Sequence, residues 1–424
     1  MGKTSNISKR RKYTIIYFIF VFFIIPTINY NGLSSVVGRF IPNPLGYNLL
    51  AFILSIPLLR SFNRNYGELR GVISAITALA IYCLMLFFIT ASETSFYAAL
   101  TVYRYSYMQA MNLFILLPFM FSLKKEEVDY TLNCIFKCLI VFIFIYLSNN
   151  LIYDWLGVKG ALTETHGGVS VERNIIGVPP LNPIWIALLM VYTILNVKNA
   201  GRYLMFALFT VIITFTRSML FSTLIIVAVS MTLMVIKCPQ KFGRGIKIIA
   251  FALFGILLLS IVMPESINFW IAKLLHTFND EIKYDMGTFA FRELLIEEAI
   301  YAIRHNPLFG LGYVRDVAKG EYSLVLGTDT YIAPILWCEG CLGLILRIFP
   351  FAILGFTSLY NLLIKKSNYW LDIIILACIV SATVNYVQTN VLTNYPLTLG
   401  IIILLKIKEN YGKKTKDFSN YSIL

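Results

Sequence analysis

The chain has 424 residues, 58% hydrophobic and 14% charged, with a mean hydropathy of +0.74. Soluble domains are roughly 45–50% apolar and about 25% charged, so a water-soluble globular enzyme, a disordered chain, a collagen-like chain and a disulfide scaffold are excluded, and long continuous apolar runs exclude a barrel of short alternating strands. A net charge of +14 would suggest nucleic acid in a soluble protein, but beside apolar runs it reads as basic flanks of membrane spans, with no nucleic-acid partner.

In chain order, hydrophobicity predicts twelve spans, at 13–28, 44–59, 71–90, 107–123, 132–152, 176–197, 203–216, 219–236, 248–264, 342–363, 369–387 and 391–406. The expected fold is all-α: a polytopic helical membrane protein with about twelve transmembrane helices in one integral domain, 1–424. A large external loop, 264–329, separates spans nine and ten, and a smaller one covers 153–175. The first apolar run lacks a small-residue cleavage site and reads as a signal anchor. An even number of spans puts both termini on one side. That side also holds 23 of the 36 Lys and Arg, from Lys9, Arg10 and Arg11 through Lys124 and Lys125 to Lys406 and Lys408. The positive-inside rule makes it cytoplasmic.

Within the large loop, Phe291, Leu294, Leu295, Ala299 and Ile303 recur at helical spacing, with Arg292, Glu293 and Glu297 on other faces. The run Asn306-Pro307-Leu308-Phe309-Gly310-Leu311-Gly312 ends that helix with turn chemistry.

Spans seven and eight share only residues 203–236. At 1.5 Å per residue the seventh covers roughly 21 Å of a core about 30 Å thick. Thr216-Arg217-Ser218 is therefore expected below the outer surface, where an arginine marks a functional site or snorkels to the headgroups. Arg347 lies just inside the tenth span. Arg292 opens the loop helix, and Arg173 precedes the Pro179-Pro180-Leu181-Asn182-Pro183 break. Arginines converging on one external cavity would suit a diphosphate, whose oxygens a guanidinium binds in pairs. Cys338-Glu339-Gly340-Cys341 is one isolated CxxC and is not read as a zinc site.

Taken together, the twelve spans, the late external loop, Thr216-Arg217-Ser218, Arg292 with the 306–312 turn, and Gly340-Cys341-Leu342-Gly343 resemble the Wzy-type O-antigen and capsular repeat-unit polymerases, which share a superfamily with the O-antigen ligases. Ligases carry a His, then Asn, Ser or Gln, then nine residues, then Gly. Here the same spacing reads Asp329-Thr330, nine residues, Gly340. The replaced His tilts the resemblance from ligase to polymerase.

The resemblance implies a metal-independent membrane glycosyltransferase without a cofactor. It would move a glycan chain from undecaprenyl pyrophosphate onto another lipid-linked repeat, at the outer face of a bacterial cytoplasmic membrane. Its implied partners are those lipid-linked oligosaccharides, membrane lipid and a chain-length regulator. It also implies diphosphate contacts from Arg217 and Arg292, with Arg173 and Arg347 as helpers. Asp329 becomes the base and Glu339 its reserve, although an Asp at 329 also suits a helix N-cap. A flippase or other transporter is the alternative from another class. It is disfavoured because transporters repeat their halves, whereas the long loop sits in one half only.

The charge asymmetry makes the topology testable. Single cysteines near Lys124, Lys241 and Lys365 should be labelled from inside the cell, and those near Glu164 and Asp316 from outside. External labelling near Lys241 would overturn the span assignment.

Overall fold

A computed structural model describes residues 7–24, 44–61, 70–93, 95–155, 163–166, 169–172, 183–195, 200–213, 217–238, 288–312, 332–365, 368–384 and 395–419, with isolated residues between 243 and 275. The described chain is almost entirely helical. Its helices are α1 (Lys9–Ile19, continued by a π turn, Phe20–Ile24), α2 (Pro44–Ser55), α3 (Arg70–Glu93), α4 (Phe96–Ser122), α5 (Lys125–Trp155) and α6 (Pro183–Ile194). These are followed by α7 (Ala200–Ile213), α8 (Arg217–Lys237), α9 (Thr288–Ala302), α10 (Ile332–Ile364), α11 (Tyr369–Val384) and α12 (Tyr395–Ser419).

Eleven of the twelve expected spans coincide with one of these helices; span 248–264 lies largely outside the described residues. Two helices start well before expectation. Helix α4 begins at Phe96, because its Tyr-rich first turns are helical although not apolar enough to read as a span. Helix α10 begins at Ile332 rather than 342, because Glu339 and Gly340 interrupt the apolar run without ending the helix. The all-α expectation also misses one element. Thr163–His166 pairs antiparallel with Val169–Glu172, in register Thr163 to Glu172 and His166 to Val169. The two residues between these strands are Gly167 and Gly168, a dipeptide suited to two-residue hairpin loops.

The core centres on α6. Every residue from Pro183 to Tyr192, and Ile194, is buried. A helix apolar on all sides needs neighbours on all sides, and α6 packs against α7, α8, α11 and α12. A second layer joins α3 to α4 and to α10, and α10 to α11. Helices α3 and α10 are each long and apolar enough to cross a membrane; α6, α11 and parts of α2 and α8 are shorter apolar helices.

At one end of the bundle, polar groups pair across helices. Arg11 Nε lies 3.3 Å from Glu127. The Tyr192 hydroxyl donates to Asp129 at 2.7 Å; burial pushes that carboxyl up from its ordinary range, and the hydrogen bond opposes the rise. Lys406, at the end of the expected span 391–406, and Lys408 beyond it are both buried, and α12 runs on through them. Lys408 Nζ sits 2.8 Å from the fully buried Asp372, which also accepts from Asn361 at 3.4 Å. That pair ties α10, α11 and α12 together.

Candidate functional site: a broken helix and its buried ion pair

Helix α10 is broken at Gly340, whose φ of 67° and ψ of −169° are not helical. A break of this kind frees backbone donors and acceptors that an apolar setting cannot solvate. The 306–312 turn takes them up. Cys341 N–H donates to Pro307 O at 2.8 Å and Leu342 N–H to Leu308 O at 3.2 Å. In return, Trp337 O accepts from Leu311 N–H at 2.7 Å, and Cys338 O accepts from Gly312 N–H at 3.1 Å. These four groups are the ones that i→i−4 bonding between 337–338 and 341–342 would have used. The Tyr82 hydroxyl, from α3, donates to Glu339 O at 2.5 Å.

Two glycines make this contact sterically feasible. Gly310 has φ of 70°, and a Cβ there would lie 2.6 Å from both Gly340 N and Trp337 O. A Cβ on Gly340 would overlap the carbonyl of Leu308. Both positions are left-handed and both face backbone rather than movable side chain, so glycine is required twice.

The charges lie on either side of the break. Arg347 Nε donates to Glu339 Oε2 at 2.8 Å, and Arg347 Nη2 donates to Glu339 Oε1 at 2.6 Å and to Ser106 Oγ at 3.1 Å. Glu339 is fully buried and Arg347 is 3% exposed. The two are eight residues apart in sequence, on either side of the Gly340 break. They meet because Gly343 lies midway on the same face: a Cβ there would come within 2.8 Å of Glu339 Oε2. The arginine side chain leans back along its helix over that gap. Such a two-pronged pair suits a buried site, since truncating one partner strands the other at a cost of about 3–5 kcal/mol.

Helix α9 docks above the break. Leu295, Ala299 and Ile303 pack on Ala333 and Leu336 of α10. Leu294, expected on that stripe, is exposed, whereas Arg292 is half-buried and lies three residues before Leu295. The 306–312 turn ends α9 through a short 3-10 segment, Ile303–His305, in line with the expected stop.

The structure therefore brings some expected site residues together and leaves others undescribed. Glu339 and Arg347, assigned to different tasks by sequence, are partners. Arg292 sits on α9. Arg217 is the first residue of α8, four residues after α7 ends at Ile213, but its side chain lies outside the described residues. Arg173 and Asp329 also lie outside them, as do Asp280, Glu281 and Asp285. Ser106 and Tyr82 were not singled out by sequence. Their contacts cross 241 and 257 positions, and nothing in local spacing signals them. Among the described residues no three His, Cys, Asp or Glu converge, and neither Cys338 nor Cys341 is in a disulfide.

A family model described as O-antigen ligase matches residues 203–334, from α7 to the first turn of α10, about a third of the chain. Over that stretch the chain is similar to the O-antigen ligases. The match includes Arg217, Arg292 and Asp329 and stops before Glu339. No curated protein and no solved structure matches the chain.

Gly340→Ala should lower stability in detergent by about 2–5 kcal/mol, combining left-handed strain with a backbone clash. Gly355→Ala is the control within α10, because its Cβ would meet only Ile379 side-chain carbon at 3.6 Å. Thermal unfolding of both variants checks this; equal melting temperatures would remove the steric requirement at Gly340.

Proposed function

We propose that the chain is a polymerase of lipid-linked repeat units, embedded by about twelve spans in the bacterial cytoplasmic membrane, with both termini inside and its site facing outward. The observation that carries the reading is the family match over 203–334. It spans both Arg217 and Arg292, and Arg292 rides on a helix packed against α10.

In this reading an acceptor sugar hydroxyl attacks the anomeric carbon of the donor glycan. The new C–O bond forms as the bond to the diphosphate breaks, and undecaprenyl diphosphate leaves with the electron pair. Asp329 takes the hydroxyl proton. Arg217, Arg292 and Arg173 meet the charge that develops on the diphosphate. That is the task of preorganised donors at a departing anion, and it requires no divalent metal. The N-terminus of α8, at Arg217, adds a favourable backbone dipole for the same anion. The charge of Arg347 is already engaged by Glu339. Asp329 in place of the ligase His favours polymerisation over ligation.

Vesicles holding the purified protein and lipid-linked repeats test this directly. A ladder of longer lipid-linked glycans, formed in EDTA, is expected. Arg217→Ala and Arg292→Ala should each lower the rate about 30- to 1,000-fold, the loss of a charge-assisted contact worth on the order of 2–4 kcal/mol. Arg217→Lys should keep part of the activity, because a point charge replaces a planar fork. Three outcomes would each contradict the reading: transfer only to a different lipid acceptor marks a ligase, translocation without new glycosidic bonds marks a transporter, and a strict magnesium requirement refutes metal independence.

A further inference from the structure

The Gly340 break divides α10 into two parts with different neighbours. The upstream part, 332–339, carries α9 through Ala333 and Leu336. The downstream part, 341–364, packs against α3 and α11 and belongs to the bundle; α11 in turn packs against α8, which begins at Arg217. Glu339 lies on the upstream part and Arg347 on the downstream part. Their two-pronged bond at 2.6 and 2.8 Å therefore spans the break like a strut. Ser106 of α4 and Tyr82 of α3 fasten its two ends to the bundle, at 3.1 and 2.5 Å. The 306–312 turn bonds to both sides of the break, to Trp337 and Cys338 upstream and to Cys341 and Leu342 downstream, so it bridges the two parts through backbone, whereas the strut bridges them through charged side chains. The strut and its two anchors add directed polar links across the break, beside the apolar packing of downstream Cys341 and Leu344 on the α9 cluster.

We propose that the Glu339–Arg347 pair is a positioning device that fixes the angle of α10 at Gly340 and thereby sets the placement of Arg292 relative to Arg217. This rests on the reading that those two arginines share one diphosphate. Two guanidiniums on separately held helices can grip one anion only at one spacing. An offset of about 1 Å in a reacting site costs up to about 100-fold in rate. The pair itself touches no substrate. Its two charges are spent on each other inside the bundle, where a bound diphosphate would have to displace a buried carboxylate to reach Arg347.

The test has two arms on the full-length protein in lipid nanodiscs. The first compares wild type with Glu339→Gln, Arg347→Lys and Arg347→Gln, each normalised to folded protein. A strut predicts that Glu339→Gln and Arg347→Gln lower kcat about 10- to 100-fold with KM for the lipid-linked repeat within about twofold. Arg347→Lys, which keeps one prong, should recover part of kcat. A KM rise in the Arg347 variants alone would overturn the proposal by making Arg347 a substrate ligand. Unchanged kcat and KM per folded molecule would overturn it by reducing the pair to a support of the fold.

The second arm needs no activity. Spin labels at the exposed Glu297 on α9 and Phe356 on downstream α10, introduced as unnatural side chains that leave the native cysteines in place, report the angle at the break. A single narrow distance in wild type should broaden or shift in Glu339→Gln. An unchanged narrow distance overturns the strut whatever the reaction. A broadened distance in a protein that makes no polymer keeps the strut and rejects the polymerase reading.

Discussion

A helix in an apolar bundle can be broken only where another segment accepts the backbone groups that the break releases. In this protein that segment is the Pro307–Gly312 stretch, and the docking of the large loop onto the bundle depends on it. The four exchanged hydrogen bonds, the two left-handed glycines and the Tyr82 hydroxyl together replace what an unbroken α10 would have supplied internally. The result is a helix whose first two turns can face a different neighbour from the rest. Helix α9 uses that freedom to bury Leu295, Ala299 and Ile303. The chain thus attaches a loop helix bearing Arg292 to a membrane-type bundle without leaving amides unpaired at the joint.

Charge follows the same rule as the backbone. Two ion pairs among the described residues are buried, Glu339 with Arg347 and Asp372 with Lys408; Arg347 and Asn361, the residue of α10 that donates to Asp372, are separated by about 21 Å of helix rise. The first pair adds a directed link across the Gly340 break beside the backbone bonds of the turn, and the second joins α11 to α12. Apolar contacts tolerate sliding and rotation, whereas a two-pronged arginine bond fixes direction as well as distance.

Most of the bundle was legible in the sequence because apolar runs of helical length have few alternatives. The amphipathic loop helix and its Pro-Gly stop were legible for the same kind of reason, since Leu295, Ala299 and Ile303 recur with helical period. The start of α10 was not, because Glu339 and Gly340 look like punctuation when read locally, and only the partner turn lets a helix continue past them. The hairpin at 163–172 was missed because a composition-based reading of a polar loop ignores the alternation in Thr163–His166 and Val169–Glu172. Glu339 and Arg347 were each visible as charges in an apolar setting. Reading them separately hid their bond, because residues eight apart do not pair on an unbroken helix and only the break at Gly340 and the side-chain-free Gly343 bring them together. Ser106 and Tyr82 had no such signal, because what makes them matter is packing between distant helices.

Residue-resolved hydrogen exchange on the purified protein tests the central claim most directly, since that claim is about backbone pairing at the break. If the 306–312 turn completes α10, the amides of Leu311, Gly312, Cys341 and Leu342 should exchange as slowly as those in the interior of α3, several orders of magnitude slower than an open loop. Exchange of these four amides at open-loop rates, with α3 still protected, would contradict the account, because the break would then be a hinge without a partner.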